Sequence, residues 1–219
     1  MNYHMKKLLL CAVALLAMLT AGAQKLPVYK NKNASVDARV HDLLKRMTLE
    51  EKIMQLNQWT AGLNTNVNNV EERVKALRPE IGSLIFFSAD PEFKNQIQKM
   101  AVEKSRLGIP ILFGYDVIHG FRTLYPIPLA QACSWNPTLV TQACAMAAKE
   151  SKVSGVDWTF SPMIDVARDG RWGRVAEGYG EDPYTNAVFG VASVKGYQGK
   201  SLADSFSIAA CLKHYVAYG

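Results

Sequence analysis

Long apolar runs are scarce in this sequence of 219 residues. A helix needs about 20 apolar residues to span a bilayer, and the longest run, at 8–19, has only 12. Lys6 and Lys7 precede it and Ala21-Gly22-Ala23 follows, so 1–23 reads as a cleavable signal peptide. That places the mature protein in the periplasm or outside the cell, with no membrane anchor after cleavage. Cys11 lies inside the run, behind Leu8-Leu9-Leu10 rather than a small-residue box, which rules out lipidation there. Cysteine is also sparse. Cleavage leaves Cys133, Cys144 and Cys211, an odd number without metal-type spacing, and they are expected to be buried free thiols, a Cys133–Cys144 bridge being the lesser alternative.

Other absences narrow the function. The net charge of +6 includes the two signal-peptide lysines, and no cluster of five or six basic residues occurs, so nucleic acid is not an expected partner. His41, His119 and His214 are scattered, which gives no metal site. A serine hydrolase would need G-x-S-x-G, which is missing. The stretch "GYGEDP" offers Gly178 and Gly180 but places Pro183 where a dinucleotide fingerprint needs its third glycine. No cofactor is implied.

What is present is an ordinary globular composition, 49% apolar and 20% charged. Residues 24–34 lack periodicity and read as a surface leader. Ser35 is placed to cap a helix carrying Val36, Val40, Leu43 and Leu44 on one face, and Thr48 with Glu51 forms a capping box ahead of a second helix, with Ile53 and Leu56 as its apolar residues. Four short apolar runs follow, at 81–87, 109–115, 156–166 and 207–213. Helical segments are predicted at 91–106, 137–154 and 183–199, the last with Asp182 as N-cap and Pro183 in its first turn. Strand and helix alternating in this way predicts an α/β fold, the N-terminal part of a (β/α)8 TIM-like barrel, incomplete in this chain.

Barrel chemistry sits at the C-terminal ends of the strands. Asp116 follows the second run, Asp165 and the segment "RDGRWGRVAEGYGEDP" follow the third, and Lys213-His214 closes the fourth. Acids, cations and the nearby Trp158, Trp172 and Tyr179 suit a ring of hydroxyls, with carboxylates accepting, cations donating and aromatic faces covering C–H surface.

Three stretches, "FGYDVIHGFRTLYPIPL", "FSPMIDVARDGRWGRVAEGYGEDP" and "CLKHYVAYG", resemble the N-terminal barrel of glycoside hydrolase family 3, of the periplasmic β-glucosidase type, over residues 35–219. The resemblance implies hydrolysis of terminal β-D-glucosyl residues by a retaining mechanism. It assigns Asp116, Arg174, Lys213 and His214 to the sugar-binding half of subsite −1 and places both the nucleophile and the acid/base beyond Gly219, with no catalytic residue in this chain. Glu177, Glu181 and Asp182 are expected partners of Arg168 and Arg171. Trp172 is expected in loop packing, Trp158 in the core, Asp165 as a buried hydrogen-bond partner, His119 and Arg122 as braces of a loop, and Tyr215 and Tyr218 in packing.

Alternatives are a non-catalytic sugar-binding barrel fragment and another exo-glycosidase of the family, a β-xylosidase or a β-N-acetylglucosaminidase. The last is disfavoured because "KHYVAYG" stands where that branch carries Pro-Gly and a histidine. Residues 24–219 alone are therefore expected to show no burst of product from an aryl β-glucoside in a stopped-flow assay. A burst would place the nucleophile within them.

Overall fold

The computed structural model describes residues 26–61, 77–86, 91–215 and 218–219. The proposed signal peptide lies outside them, and no described helix is long and apolar enough to cross a membrane. The chain divides into two compact units, one ending at Lys52 and the other starting at Ile53.

In the first unit a 3-10 turn at Val28–Lys30 precedes α1, Val36–Arg46. The Tyr29 N–H donates to Asp42 Oδ2 at 3.0 Å and Arg39 Nε donates to Tyr29 O at 3.0 Å, which ties the leader to that helix. Ser35 Oγ accepts from the Ala38 N–H at 3.3 Å, the cap expected of it. Helix α2, Leu49–Gln55, contains the division at Lys52 and opens on the predicted capping box. The Glu51 N–H donates to Thr48 Oγ1 at 3.2 Å and the Thr48 N–H to Glu51 Oε2 at 2.8 Å.

The second unit is built on a parallel sheet in spatial order β1 (Gln58–Ala61), β2 (Ser83–Phe86), β3 (Leu112–Tyr115), β4 (Trp158–Thr159). Helix α3 (Pro91–Lys104) connects β2 to β3, α4 (Pro128–Ala132) and α5 (Pro137–Val153) connect β3 to β4, and α6 (Pro183–Gln198) follows β4. This is the α/β architecture of part of a barrel. Asp182 Oδ2 accepts from the Thr185 N–H at 2.7 Å, and Pro183 occupies the first turn where its missing N–H costs nothing.

Two expectations need correction. The run at 207–213 forms no regular strand; its contacts with the sheet are isolated parallel bridges, Trp158 to Ala209 and Met163 to Lys213. Pro162 has no N–H to give a ladder, which breaks the regular pattern between those bridges. Backbone bonds nevertheless continue on either side, from the Ala209 N–H to Asp157 O at 2.9 Å, the Cys211 N–H to Ser161 O at 2.9 Å and the Ile164 N–H to Lys213 O at 2.8 Å. Strand β1 was not anticipated, because "QWTA" contains no apolar run. In α2 the buried residue is Met54, while Ile53 and Leu56 are exposed.

Two clusters hold this unit together. Ile81, Leu84 and Phe113 pack with Phe93, Ile97 and Ala101 of α3. Val140, Cys144, Ala147 and Ala148 of α5 pack with Phe189, Ala192 and Tyr197 of α6. Fully burying one such aliphatic side chain is worth ~1.5–3 kcal/mol. The two helices approach closely because residue 196 is glycine: a Cβ there would stand 2.5 Å from both Cys144 Cβ and Thr141 O. Gly114 on β3 plays the same part inside the sheet, where a Cβ would fall 2.2 Å from Trp158 Nε1. Trp158 meets Phe160 edge to face at 5.0 Å. Cys144 is buried, Cys211 half-buried and Cys133 exposed, and all three thiols are free, so only one of them fits the expected buried state.

Lys94 is a buried cation. Its Nζ donates to Ser154 O, at the C-terminal end of α5, at 2.6 Å and lies 5.8 Å from the Phe113 ring centroid. Burial pulls its pKa from the ordinary 10.5 to about 8, against a smaller opposing pull from Asp157. Below about pH 8 the ammonium is charged in both folded and unfolded chains and the burial cost is fully present. Between about 8 and 10.5 only the unfolded chain keeps the proton, so stability rises with pH in that window. Lys94→Met should abolish the rise: denaturant unfolding at pH 7.5 and 10 should show wild type gaining at most about 3 kcal/mol relative to the variant.

Candidate functional site

The hydrogen bonds between 157–164 and 207–213 bring Asp165 and Lys213-His214 out at one end of the sheet, and β3 delivers Asp116 to the same end. The four residues singled out in the sequence form a continuous row. Lys213 Nζ donates to Asp116 Oδ1 at 2.9 Å. The next residue, His214, is joined to Lys213 by a cis peptide and presents Nε2 3.3 Å from Arg174 NH1. Arg174 then grips Glu177 with both ends of its fork, Nε to Oε1 and NH2 to Oε2, each at 2.7 Å. The Asp116 side chain is 54% exposed and that of Lys213 only 13%. The carboxylate therefore faces the mouth while the ammonium supports it from below.

The partners of the loop arginines differ from the expected ones. Glu177 pairs with Arg174, not with Arg168 or Arg171. Arg171 is held instead by Asp169, whose carboxylate accepts from its backbone N–H and its guanidinium. Asp182 is occupied as the cap of α6. A 3-10 turn at Val175–Glu177 explains the Arg174 pairing, because it sets the two side chains three residues apart on one side. The hydrogen bonds from Arg174 hold the Glu177 carboxyl below its ordinary range, with the charge of Lys213 adding to the effect.

Asp165 is buried, as expected, its side chain only 3% exposed. One oxygen, Oδ2, lies 3.1 Å from the backbone N of His214 and 2.9 Å from its ring Nδ1. Tyr218 was expected in packing alone, yet it belongs to the site. Its ring lies 4.5 Å from that of His214, 5.6 Å from the Arg174 guanidinium carbon, and edge-on to Trp172 at 5.8 Å. No spacing in the sequence signals that placement. Tyr215, by contrast, is fully exposed rather than packed. Tyr179 is buried in the core with its OH 2.6 Å from Ser193 Oγ, and Trp158 lines the sheet, so neither is a platform for a ligand.

The loop after β3 is braced as expected at His119, whose Nδ1 sits 3.0 Å from Tyr125 O. Glu150 of α5 completes the brace, accepting from the N–H groups of Arg122 and Thr123 and from Thr123 Oγ1 at 2.6 to 3.0 Å. A cleft of about 500 Å³ is lined by Asp165, Arg168, Lys213, His214 and Tyr218. A second groove of about 480 Å³, between α4 and α5, has no charged lining. Among the described residues no acidic, histidine or cysteine cluster could hold a metal.

The Glycosyl hydrolase family 3 N terminal domain matches residues 48–219. A "Periplasmic beta-glucosidase" of Salmonella typhimurium is 42% identical over 84% of this chain and 24% of its own length. A "Putative beta-xylosidase" of Formosa agariphila is 32% identical over 87% of this chain and 28% of its own. The solved β-glucosidase of Listeria innocua in complex with glucose superposes with a TM-score of 0.73 at 40% identity, covering 83% of this chain and 27% of that one. The chain thus spans about a quarter of the length of the curated relatives it matches.

Glu177→Gln should loosen Arg174. Because the Glu177 pKa is depressed in the fold, its contribution is present above the ordinary value of 4.5 and is lost as pH falls below it. Thermal melts at pH 7 and pH 3 should therefore show the variant less stable by about 1 kcal/mol at pH 7 and the gap closing at pH 3.

Proposed function

This chain belongs to glycosyl hydrolase family 3, and from that membership we propose that it supplies the sugar-binding side of a pocket for the hydrolysis of terminal non-reducing β-D-glucosyl residues. The observation that carries the reading is the row Asp116, Lys213, His214, Arg174, four residues from three distant parts of the chain aligned at one end of the sheet. The exposed Asp116 carboxylate can accept from two neighbouring hydroxyls. Lys213 and Arg174 donate to others, and Tyr218 with Trp172 offers an aromatic wall for the C–H face of a pyranose.

These residues are assigned to binding rather than to bond cleavage. A retaining glycosidase needs two carboxyl groups about 5 Å apart, one a nucleophile and one a proton donor. A proton donor requires a raised pKa, whereas that of Glu177 is depressed by Arg174. Asp116 and Asp165 are likewise engaged, by Lys213 and His214. The nucleophile and the acid/base are therefore proposed to come from other residues of the complete enzyme. Location in the periplasm or outside the cell is supported by the N-terminal pattern and by the name of the Salmonella relative. A β-xyloside substrate is the second reading, supported by the Formosa relative.

Glucose and xylose titrated into the chain and followed by the amide and ring signals of Lys213 and His214 test both. Glucose should bind more tightly, and Asp116→Ala should weaken it about 10- to 100-fold, the loss of one or two hydrogen bonds to a charged acceptor. Tighter binding of xylose would shift the substrate to a β-xyloside, and indifference to Asp116→Ala would remove the pocket assignment.

A further inference from the structure

His214 touches a group on each side, and both groups constrain the same proton. On one side Oδ2 of Asp165 already accepts from the His214 backbone N–H at 3.1 Å, so the ring nitrogen 2.9 Å from that oxygen, Nδ1, must be the donor. On the other side the guanidinium of Arg174 has only hydrogens to offer, so Nε2, 3.3 Å away, must accept. A neutral imidazole carries one proton, and the two contacts agree on where it is.

We infer that Asp165 is a positioning residue that locks the neutral His214 ring in its Nδ1–H form, so that Nε2 accepts from Arg174 and fixes that guanidinium beside the pocket. The consequence is an alternating row: Asp116 accepts, Lys213 donates, His214 Nε2 accepts, Arg174 donates, Glu177 accepts. The single lone pair of Nε2 is taken by Arg174, so its part is to hold the guanidinium in place, while Asp116, Lys213 and the remaining Arg174 hydrogens are left to meet sugar hydroxyls. With the other tautomer, Nε2–H would point at Arg174, two donors would face each other, and the row would break at its centre. Asp165 acts through His214 and is nearly buried, which separates its part from that of the residues exposed in the cleft.

The functional consequence rests on the sugar-pocket reading, whereas the tautomer does not, and the test separates them. Long-range proton–nitrogen correlation of the histidine-15N-labelled chain at pH 8 reads the ring directly, with the His214 signals assigned by their loss in His214→Gln. The expected pattern is a pyrrole-like Nδ1 and a pyridine-like Nε2; the reverse pattern overturns the proposal whether or not any sugar binds. Asp165→Leu, which removes the acceptor, should shift the ring at least several-fold toward Nε2–H and lower glucose affinity about tenfold. Asp165→Asn keeps an amide oxygen able to accept from both His214 groups and should retain the Nδ1–H form and most of the affinity. An unchanged ring pattern in a folded Asp165→Leu chain would show that Asp165 has only a structural role. Should that variant fail to fold, the wild-type and Asp165→Asn spectra decide: Nδ1–H in both upholds the proposal, and Nε2–H in either refutes it.

Discussion

The hydrogen bonds between 157–164 and 207–213 set the height at which the site is assembled. From Asp157 to Lys213 the two segments exchange backbone bonds with a proline between them, and the last of these joins the Ile164 N–H to Lys213 O. Asp165 therefore leaves one segment at the level where His214 leaves the other. A side chain only two bonds long can then satisfy both a backbone N–H and a ring nitrogen. Every later contact in the row depends on that match. His214 could not reach Arg174, nor Lys213 reach Asp116, if the two segments slipped relative to one another, because a one-residue slip turns each side chain to the opposite face.

The helices on the outside protect this register. Gly196 lets α6 approach α5, and the Tyr197 hydroxyl reaches through to Val117 O and Ser161 Oγ, linking the helix layer to the loop after Asp116 and to the segment before Asp165. Val117 is held again by Thr159, whose Oγ1 accepts its N–H at 3.0 Å. Glu150 then fixes the far side of the same loop. The exposed Asp116 is thus attached to a backbone secured from three directions, which is how a surface carboxylate keeps one position.

Features set by neighbours in sequence were legible before the structure. The Ser35 cap, the Thr48 and Glu51 box and the Asp182-Pro183 opening of α6 each depend on four residues or fewer, and each is in place. The alternation of apolar runs with helices identified the parallel sheet; position at strand ends drew attention to Asp116 and Lys213-His214, and the family resemblance singled out Arg174 among the loop arginines. What was not legible depends on distant partners. Strand β1 is apolar only in part and owes its place to pairing with β2. The run at 207–213 has a strand's composition but lies against a proline. Arg174 and Glu177 are three residues apart, yet which of several arginines takes which acid is decided by a 3-10 turn within a glycine-rich loop. Tyr218 joins the site through ring contacts that no local pattern encodes.

The close approach of Gly114 to Trp158 has a consequence for descent. Position 114 has no room for a Cβ while an indole fills the space beside it. Neither residue can drift freely: a larger residue at 114 would need smaller ones at both 158 and 160, because a Cβ there would also fall 2.5 Å from Phe160 Cζ. The three positions should therefore be inherited together, and only lineages that lose both the tryptophan and the phenylalanine leave the glycine free to vary.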